Sequence, residues 1–524
     1  MENRSWENRA AVAVPAGVML VLGLWGVERG GMWRDEAVTF QVARRSVPEI
    51  WRLLHGVDAV HGLYYLLMHA VLAVRPGELA LRLPSVCGAA VAAGLVAVLG
   101  VRLARPRVGL WAGLLYAATP LVGHYAQEGR SYAVVGAGAA GATLLLVRAV
   151  RGGSWRPYGV VVALTCVLHE LAVLLLLAHA VTLLHARVGR RAWRGWAGAA
   201  GAAVVVLLPL ALVSKVQAGQ VAWLPRPGPD SAERLLHAAL GTGGPVFWTC
   251  LVLALVAVPG PRRLTLASVA LPWAVLPPLT LIAASQLQPI YDDRYVLYAF
   301  GAAPLLVAFG ADRVLTMLRI GMSPLVPLAG TLAVALAFTQ QLPLHRQDRT
   351  LLTRPDSLAA VSALAARELR PGDSVVFLPT IGRRAAVTYP AGFRGVRDVA
   401  LATPGPASGT LYGRERSPAG LRRDLLALDR LWVVAEPYAL RSSWYPRNPT
   451  ERVKLTVVTE EFVPSEPRRE FVRDGITLRL YARRPEQGPP RGLPPEAREA
   501  QEALEALEAL EVRSPERRQR PAPW

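Results

Sequence analysis

Over the first two thirds of the 524-residue chain the hydrophobic positions form long uncharged runs bounded by arginines or turn residues; afterwards they form short alternating ones. A bilayer core of roughly 30 Å needs about 20 apolar residues per helix. Runs of that kind lie near 10 to 28, 83 to 103, 108 to 126, 131 to 149, 158 to 186, 196 to 214, 245 to 260, 264 to 285, 295 to 311 and 322 to 340. They predict an α-helical polytopic membrane protein with about 10–11 transmembrane helices. The first run is too long, and its basic start too weak, for a cleaved signal, so it counts as a span. The 158 to 186 run carries His169 and Glu170 at its middle and reads as one long span or as two short ones with that pair at the apex. At about 14 residues, HGLYYLLMHAVLAV (61 to 74) is too short to cross and reads as an amphipathic helix at the interface.

Past residue 341 the period changes. Pro and Gly punctuate the β-like runs SVVFLP, LDRLWVVAE, VKLTVVTEEFV and ITLRLYARR, with helical patterns around 356 to 369 and 419 to 429. A membrane domain over 1–340 and a small α/β domain over 341–485 follow. The remainder, 486–524, is rich in Pro, Glu and Arg; EALEALEAL sets Leu504, Leu507 and Leu510 three apart, which suggests disorder or a short helix.

Composition agrees: 52% hydrophobic and 18% charged residues with a mean hydropathy of +0.30 are too apolar for an ordinary soluble protein. The net charge of +20 comes almost wholly from arginine, Lys215 and Lys454 being the only lysines. In a membrane protein such an excess sits in cytoplasmic loops, so it does not point to nucleic acid. Arg102, Arg105 and Arg107; Arg148, Arg151 and Arg156; Arg187, Arg190, Arg191 and Arg194; Arg262 and Arg263; and Arg313 with Arg319 form the clusters. Placing all of them inside puts the protein in the cell membrane with its N-terminus cytoplasmic. Residues 29 to 78, 127 to 130, 215 to 244, 286 to 294 and everything after 341 then face outward. Cys87, Cys166 and Cys250 lie in apolar stretches without C-x-x-C spacing, which excludes a disulfide framework or zinc finger. No Gly-rich phosphate loop or H-E-x-x-H is present, which argues against a nucleotide-powered pump.

Three outward segments could carry chemistry. Asp35 and Glu36 in GMWRDEAVTF are either helix-capping acids of a helix starting at Ala37 or a general base at the outer membrane face. In TPLVGHYAQEGRSYAV, the cluster His124, Tyr125, Glu128, Arg130 and Tyr132 is either a polar turn with interfacial tyrosines or an anion site. Arg130 is the natural phosphate ligand there, and Glu128 could orient it or touch substrate. QPIYDDRYVLY repeats the theme with Arg294 and Tyr295, or caps a helix through Asp292 or Asp293. His61, Tyr64 and Tyr65 could wall the same site or anchor the interfacial helix. A secondary transporter or lipid flippase without transferase chemistry is the alternative, but it would favour polar groups near the midplane rather than at span ends.

Together these residues resemble the bacterial branch of glycosyltransferase family 39, relatives of protein O-mannosyltransferases and of the lipid A aminoarabinose transferase, within the GT-C superfamily. The stretch from WRDEAVTF through VDAVHGLYY to RLPS is similar to the family's DE-A-T opening, its D-x-H-P-P-L-Y-Y stretch and the R-L-P-S that follows; YAQEGRSYA is similar to Y-x-Q-E-x-R-x-Y, and DDRYVLY to a late R-Y element. The resemblance covers about residues 10 to 340. It implies a GT-C membrane fold and transfer of mannose or another hexose or pentose, with inversion, from a polyprenyl-phosphate donor to an extracytoplasmic protein, lipid or glycan. Asp35 would be the base, Arg130 and Arg294 would stabilise the leaving phosphate, and Glu36 and Glu128 would bind sugar or support the site. No cofactor is required on this reading, although an outer-loop carboxylate can bind a divalent cation as readily as a proton. His61-Gly62-Leu63 stands where His-Pro-Pro is common, a departure that bears on the shape of the donor pocket.

Overall fold

The computed structural model describes residues 2–258, 264–319, 323, 325–350, 358–440, 446, 448–465, 470–473 and 476–485. The tail with Leu504, Leu507 and Leu510, and the pair Arg262 and Arg263, lie outside the described residues. Sixteen helices precede the sheet-bearing part: α1 Glu2–Leu24, α2 Arg34–Ala43, α3 Val47–Leu54, α4 Gly62–Val74, α5 Glu78–Leu103, α6 Pro106–Ala118, α7 Pro120–Ala126, α8 Tyr132–Val150, α9 Arg156–Leu168, α10 Leu174–His185, α11 Arg190–Val216, α12 Pro229–Leu240, α13 Gly244–Val256, α14 Leu266–Ala284, α15 Ala302–Met317 and α16 Val326–Gln347.

Six of these, α1, α5, α8, α11, α14 and α16, are long and apolar enough to cross a bilayer unbroken. Two bent pairs add to them: α12 with α13 at 88°, and the 3-10 turn Asp293–Ala299 with α15 at 46°. The chain is thus a multi-pass membrane protein. The remaining expected runs are shorter or broken, each for a local reason. Pro120 lacks an N–H, and a residue before proline is pushed out of the helical region, so Thr119 (φ −71°, ψ 119°) divides the 108 to 126 run into α6 and α7. His169 is extended (φ −158°, ψ 106°) and divides the 158 to 186 run into α9 and α10, with the turn Glu170–Val173 between them. The 61 to 74 run is α4, a single helix of 13 residues.

Helices α5, α8 and α14 form the interior of the bundle, whereas α1, α11 and α16 leave most of their apolar surface uncovered. Val205 of α11 is 68% exposed; an apolar side chain in that position suits acyl chains rather than water. Small residues bring the interior helices together. A Cβ on Gly88 would lie 2.9 Å from the Val134 backbone nitrogen of α8, and one on Gly310 would lie 1.8 Å from the Leu253 carbonyl of α13.

The C-terminal part begins with α17 Leu358–Glu368 and β1 Ser374–Leu378, followed by α18 Arg384–Thr388, β2 Arg397–Asp398, β3 Leu401–Thr403, α19 Gly405–Ser408, β4 Arg414–Glu415, α20 Pro418–Leu426, β5 Arg430–Ala435, α21 Pro449–Glu460, β6 Phe462–Pro464, β7 Glu470–Arg473 and β8 Ile476–Arg483. Its sheet runs β2-β1-β5-β8-β6, with β7 also on β8 and with β3-β4 a separate pair; β1 is parallel to β2 and β5, and β8 is antiparallel to its neighbours. SVVFLP, LDRLWVVAE and ITLRLYARR thus form strands. VKLTVVTEEFV does so only from Phe462; its earlier part is α21. Asn448 caps that helix by accepting from Glu451 N at 2.9 Å and Pro449 starts it, a local signal that outweighs the β-branched content.

Alternation along β1 and β5 gives the sheet two buried faces. Val376, Leu378, Val433 and Ala435 pack with Leu421, Leu425, Val457 and Val458 of α20 and α21. Val375, Phe377, Trp432 and Val434 share a core with Met32, Phe40, Tyr64 and Met68 of the membrane domain. The α/β domain therefore sits directly on α2 and α4.

Candidate active site

Helix α2 begins at Arg34, so Asp35 and Glu36 occupy its first turn rather than its cap; carboxylates there complement the partial positive charge of the helix N-terminus. Adjacent helical residues point about 100° apart, and the two acids diverge accordingly. Glu36 is fully buried and clasped by Arg82 of α5, whose Nε reaches Oε1 at 2.7 Å and whose Nη2 reaches Oε2 at 2.8 Å. Gly129 N adds a third bond, at 3.0 Å. Arg82 also donates to the Val27 and Gly31 carbonyls, so this fork fixes the approach of the chain to α2. Both carboxylate oxygens of Glu36 are thus taken up inside the protein.

Asp35 remains partly open and takes two guanidinium groups from distant segments. Arg294 Nη1 donates to Oδ2 at 2.8 Å, and Arg130 Nη2 lies 3.8 Å from Oδ1. Arg294 is held by Asp292, whose carboxylate accepts from the Arg294 backbone N–H at 3.2 Å and lies 3.5 Å from its Nε; the capping role and the site role of this segment coincide. Arg130 is 6% exposed; its carbonyl accepts from Ser85 Oγ, and its Nη1 lies 3.5 Å from the Tyr65 hydroxyl. Tyr65 in turn donates to Asp58 Oδ2 at 2.9 Å. Burial raises the Asp58 carboxyl above the usual carboxylate range, with Arg130 pulling the other way.

Aromatic rings form one side. Tyr125 meets Tyr132 at 5.3 Å, Tyr132 meets His169 at 5.7 Å, and His169 meets Tyr295 at 5.4 Å, with the Arg294 guanidinium 5.5 Å from the Tyr295 ring. His61 lies 6.0 Å from Tyr65. His61, His169 and Tyr295 also line an adjoining cavity of about 260 Å³, which Gln217, Gln220 and Gln288 close. The buried Nδ1 atoms of His61 and His169 have no hydrogen-bond partner. Glu128 is 3% exposed and neither carboxyl oxygen is bonded; burial raises it to about 7.

Two expected residues border this convergence and make their own contacts elsewhere. Tyr64 is fully buried in the core shared with the α/β domain, one position round α4 from Tyr65. His124 meets Tyr125 edge to face at 4.9 Å but turns its Nδ1 to Asp348 at 3.4 Å. The structure adds Arg82, Asp58 and His169. His169 had a signal, a polar pair in the middle of an apolar run; Asp58 and Arg82 stand in the VDAVHGLYY and RLPS stretches of the resemblance, although nothing there assigned them a contact. Among the described residues no group of three or more His, Cys, Asp or Glu side chains is placed to hold a metal ion.

No family model and no curated protein matches the sequence. Solved structures do match. ArnT from Cupriavidus metallidurans in the apo state aligns with a TM-score of 0.57 at 13% identity, covering 90% of this chain and 97% of that one. The same protein bound to undecaprenyl phosphate aligns with a TM-score of 0.55 at 13% identity, covering 92% and 99%. The oligosaccharyltransferase AglB from Archaeoglobus fulgidus, in complex with an inhibitory peptide and a dolichol-phosphate, aligns at 0.53 and 10% identity over 93% of this chain and 75% of that one. The fold is thus one that this chain shares with ArnT and AglB over most of its length.

Proposed function

We propose that this chain is an integral-membrane glycosyltransferase that moves a sugar from a polyprenyl-phosphate donor to an acceptor on the non-cytoplasmic side. The observation that carries the reading is the meeting of Asp35 with Arg130 and Arg294, three residues from separate outward segments gathered at helix ends. Two guanidinium groups beside one carboxylate suit a phosphate that leaves while a hydroxyl is deprotonated nearby. In the resting site Asp35 balances both arginines. A bound phosphate takes up their charge, and Asp35 is left to receive a proton. The acceptor oxygen attacks the anomeric carbon, its proton passes to Asp35, and the C–O bond to phosphate breaks with its electrons leaving on the phosphate oxygen. Attack opposite the leaving group inverts the anomeric centre. The arginines stabilise the charge that develops on the leaving group, the kind of fixed electrostatic contact that contributes most to such reactions.

Sharing a fold with structures that hold undecaprenyl phosphate and dolichol-phosphate supports a lipid-phosphate donor. Each methylene withdrawn from the bilayer would cost about 0.8 kcal/mol, so a long isoprenoid must be met at the membrane surface. Arginine placement supports the sidedness: Arg107 and Arg105 reach Asp312 at the end of the bundle where α5 terminates, whereas Asp35, Arg82 and Arg130 gather where α5 begins. With the arginine-rich end cytoplasmic, the N-terminus is inside and the site and α/β domain are outside. Mannose or another hexose or pentose is the sugar class, and an extracytoplasmic protein, lipid or glycan the acceptor.

The experiment is binding of undecaprenyl phosphate, the carrier left after transfer, to purified full-length protein in nanodiscs. Arg294→Ala and Arg130→Ala are each expected to weaken it at least tenfold without unfolding the bundle. Binding equal to that of the wild type would remove these arginines from the phosphate site.

A further inference from the structure

Three acids and three arginines crowd the floor of the site, and their pairing is unequal. Asp35 engages Arg130 and Arg294, and Glu36 takes both prongs of Arg82. Glu128 is the third acid. It lies on the short segment between α7 and α8, 3% exposed, with neither carboxyl oxygen bonded. The groups near enough to act on its charge are Asp35 and Glu36 of α2, Tyr64 of α4, His124 and Tyr125 of α7, Tyr132 of α8, and Arg294. Two of these are carboxylates that repel a third negative charge. His124, which would favour that charge, points its Nδ1 at Asp348. An ionised carboxylate buried without a donor pays a desolvation penalty, which here outweighs the attraction of His124 and Arg294 for its charge. A neutral carboxylic acid avoids that penalty and has an O–H to give.

We propose that Glu128 works as a neutral acid whose O–H donates a hydrogen bond to an oxygen of the bound lipid phosphate, beside the two arginines. The inference rests on the donor reading above and adds to it a third phosphate contact that is lost on ionisation. No covalent step is involved; the proton stays on Glu128 while the phosphate is bound. The value of about 7 for its carboxyl places the transition in the working pH range. The sign follows directly: below pH 7 the acid form predominates and binding is strong, and as pH rises through 7 the anion forms and repels the phosphate. From pH 6 to pH 8 the protonated fraction of such a group falls about tenfold, and apparent affinity falls with the fraction of the competent form.

The test measures the dissociation constant of undecaprenyl phosphate for full-length protein in nanodiscs at pH 6 and pH 8, for wild type and Glu128→Gln. The amide keeps an N–H donor but cannot ionise. Wild type is expected to weaken about tenfold more than E128Q between the two pH values. E128Q carries only the phosphate's own titration and should bind within a few-fold of wild type at pH 6. A more than tenfold loss in E128Q at both pH values would mean that the carboxylate is the working form and would overturn the proposal, as would equal pH dependence in the two proteins. Absence of binding by wild type at either pH would instead overturn the donor reading itself. A second readout does not depend on the variant's stability. Wild type should show an infrared carboxylic-acid C=O band that titrates away around pH 7, and a spectrum without such a band refutes the neutral acid.

Discussion

At the scale of residues, Asp35 and Glu36 are neighbours in sequence with opposite fates. Glu36 is locked into a buried fork with Arg82, and removing one member of such a pair leaves an uncompensated charge, which costs about 3–5 kcal/mol. Arg82→Ala is therefore expected to lower the unfolding midpoint sharply. Asp35→Asn unbalances Arg130 and Arg294 but at a partly open position, so it should lower the midpoint less; thermal unfolding of both variants in detergent checks the contrast, and equal shifts would contradict the division of roles. The sequence made Asp35, Arg130 and Arg294 visible because a charged residue at a span end is costly unless used. It could not separate Asp35 from Glu36, because that depends on which face of α2 meets α5. Nor could it show that Asp58, in the VDAVHGLYY stretch, bonds to the Tyr65 hydroxyl.

Among the elements, the apolar runs were legible because span length is set by the bilayer, and their breaks were partly legible. Pro120 announces the division between α6 and α7, and His169 with Glu170 announces the turn between α9 and α10. The packing of one helix on another was not legible, because it rests on glycines whose neighbours lie far along the chain. Gly310 is the clearest example: any side chain there drives α15 away from the Leu253 carbonyl of α13. Gly310→Val is expected to cost about 1–3 kcal/mol, the usual range for overpacking, and to broaden the thermal transition; an unchanged midpoint would show that the two helices are not closely apposed. Helix α21 shows the reverse failure, where Asn448 and Pro449 decide for helix against a β-rich composition.

For the molecule as a whole, the α/β part and the membrane part share hydrogen bonds and a buried core. Gln41 Nε2 donates to Thr388 Oγ1 at 2.6 Å, Met32 N donates to the Tyr389 hydroxyl at 2.8 Å, and Arg45 Nη2 donates to the Thr410 and Leu411 carbonyls. Together with the shared core of Phe40, Tyr64, Val375 and Trp432, these contacts hold α2, and hence Asp35, in place. A chain ended after α16 would expose that core, so it is expected to lose its compact, monodisperse state in detergent; a truncated protein as stable as the full chain would show that the two parts fold separately. The change of hydrophobic period past residue 341 was legible in the sequence, but the shared core was not, since the cluster that holds Phe40 and Trp432 joins residues from both ends of the chain.

The central claim is that Asp35 performs the transfer. Its most direct test is the rate at which membrane vesicles containing the full chain move radiolabel from polyprenyl-phosphate mannose, or from the corresponding hexose and pentose donors, into envelope acceptors. Asp35→Asn should slow that transfer about 10²–10⁴-fold, the range lost with a positioned acid or base, while undecaprenyl phosphate still binds. Transfer by the variant at the wild-type rate would contradict the account.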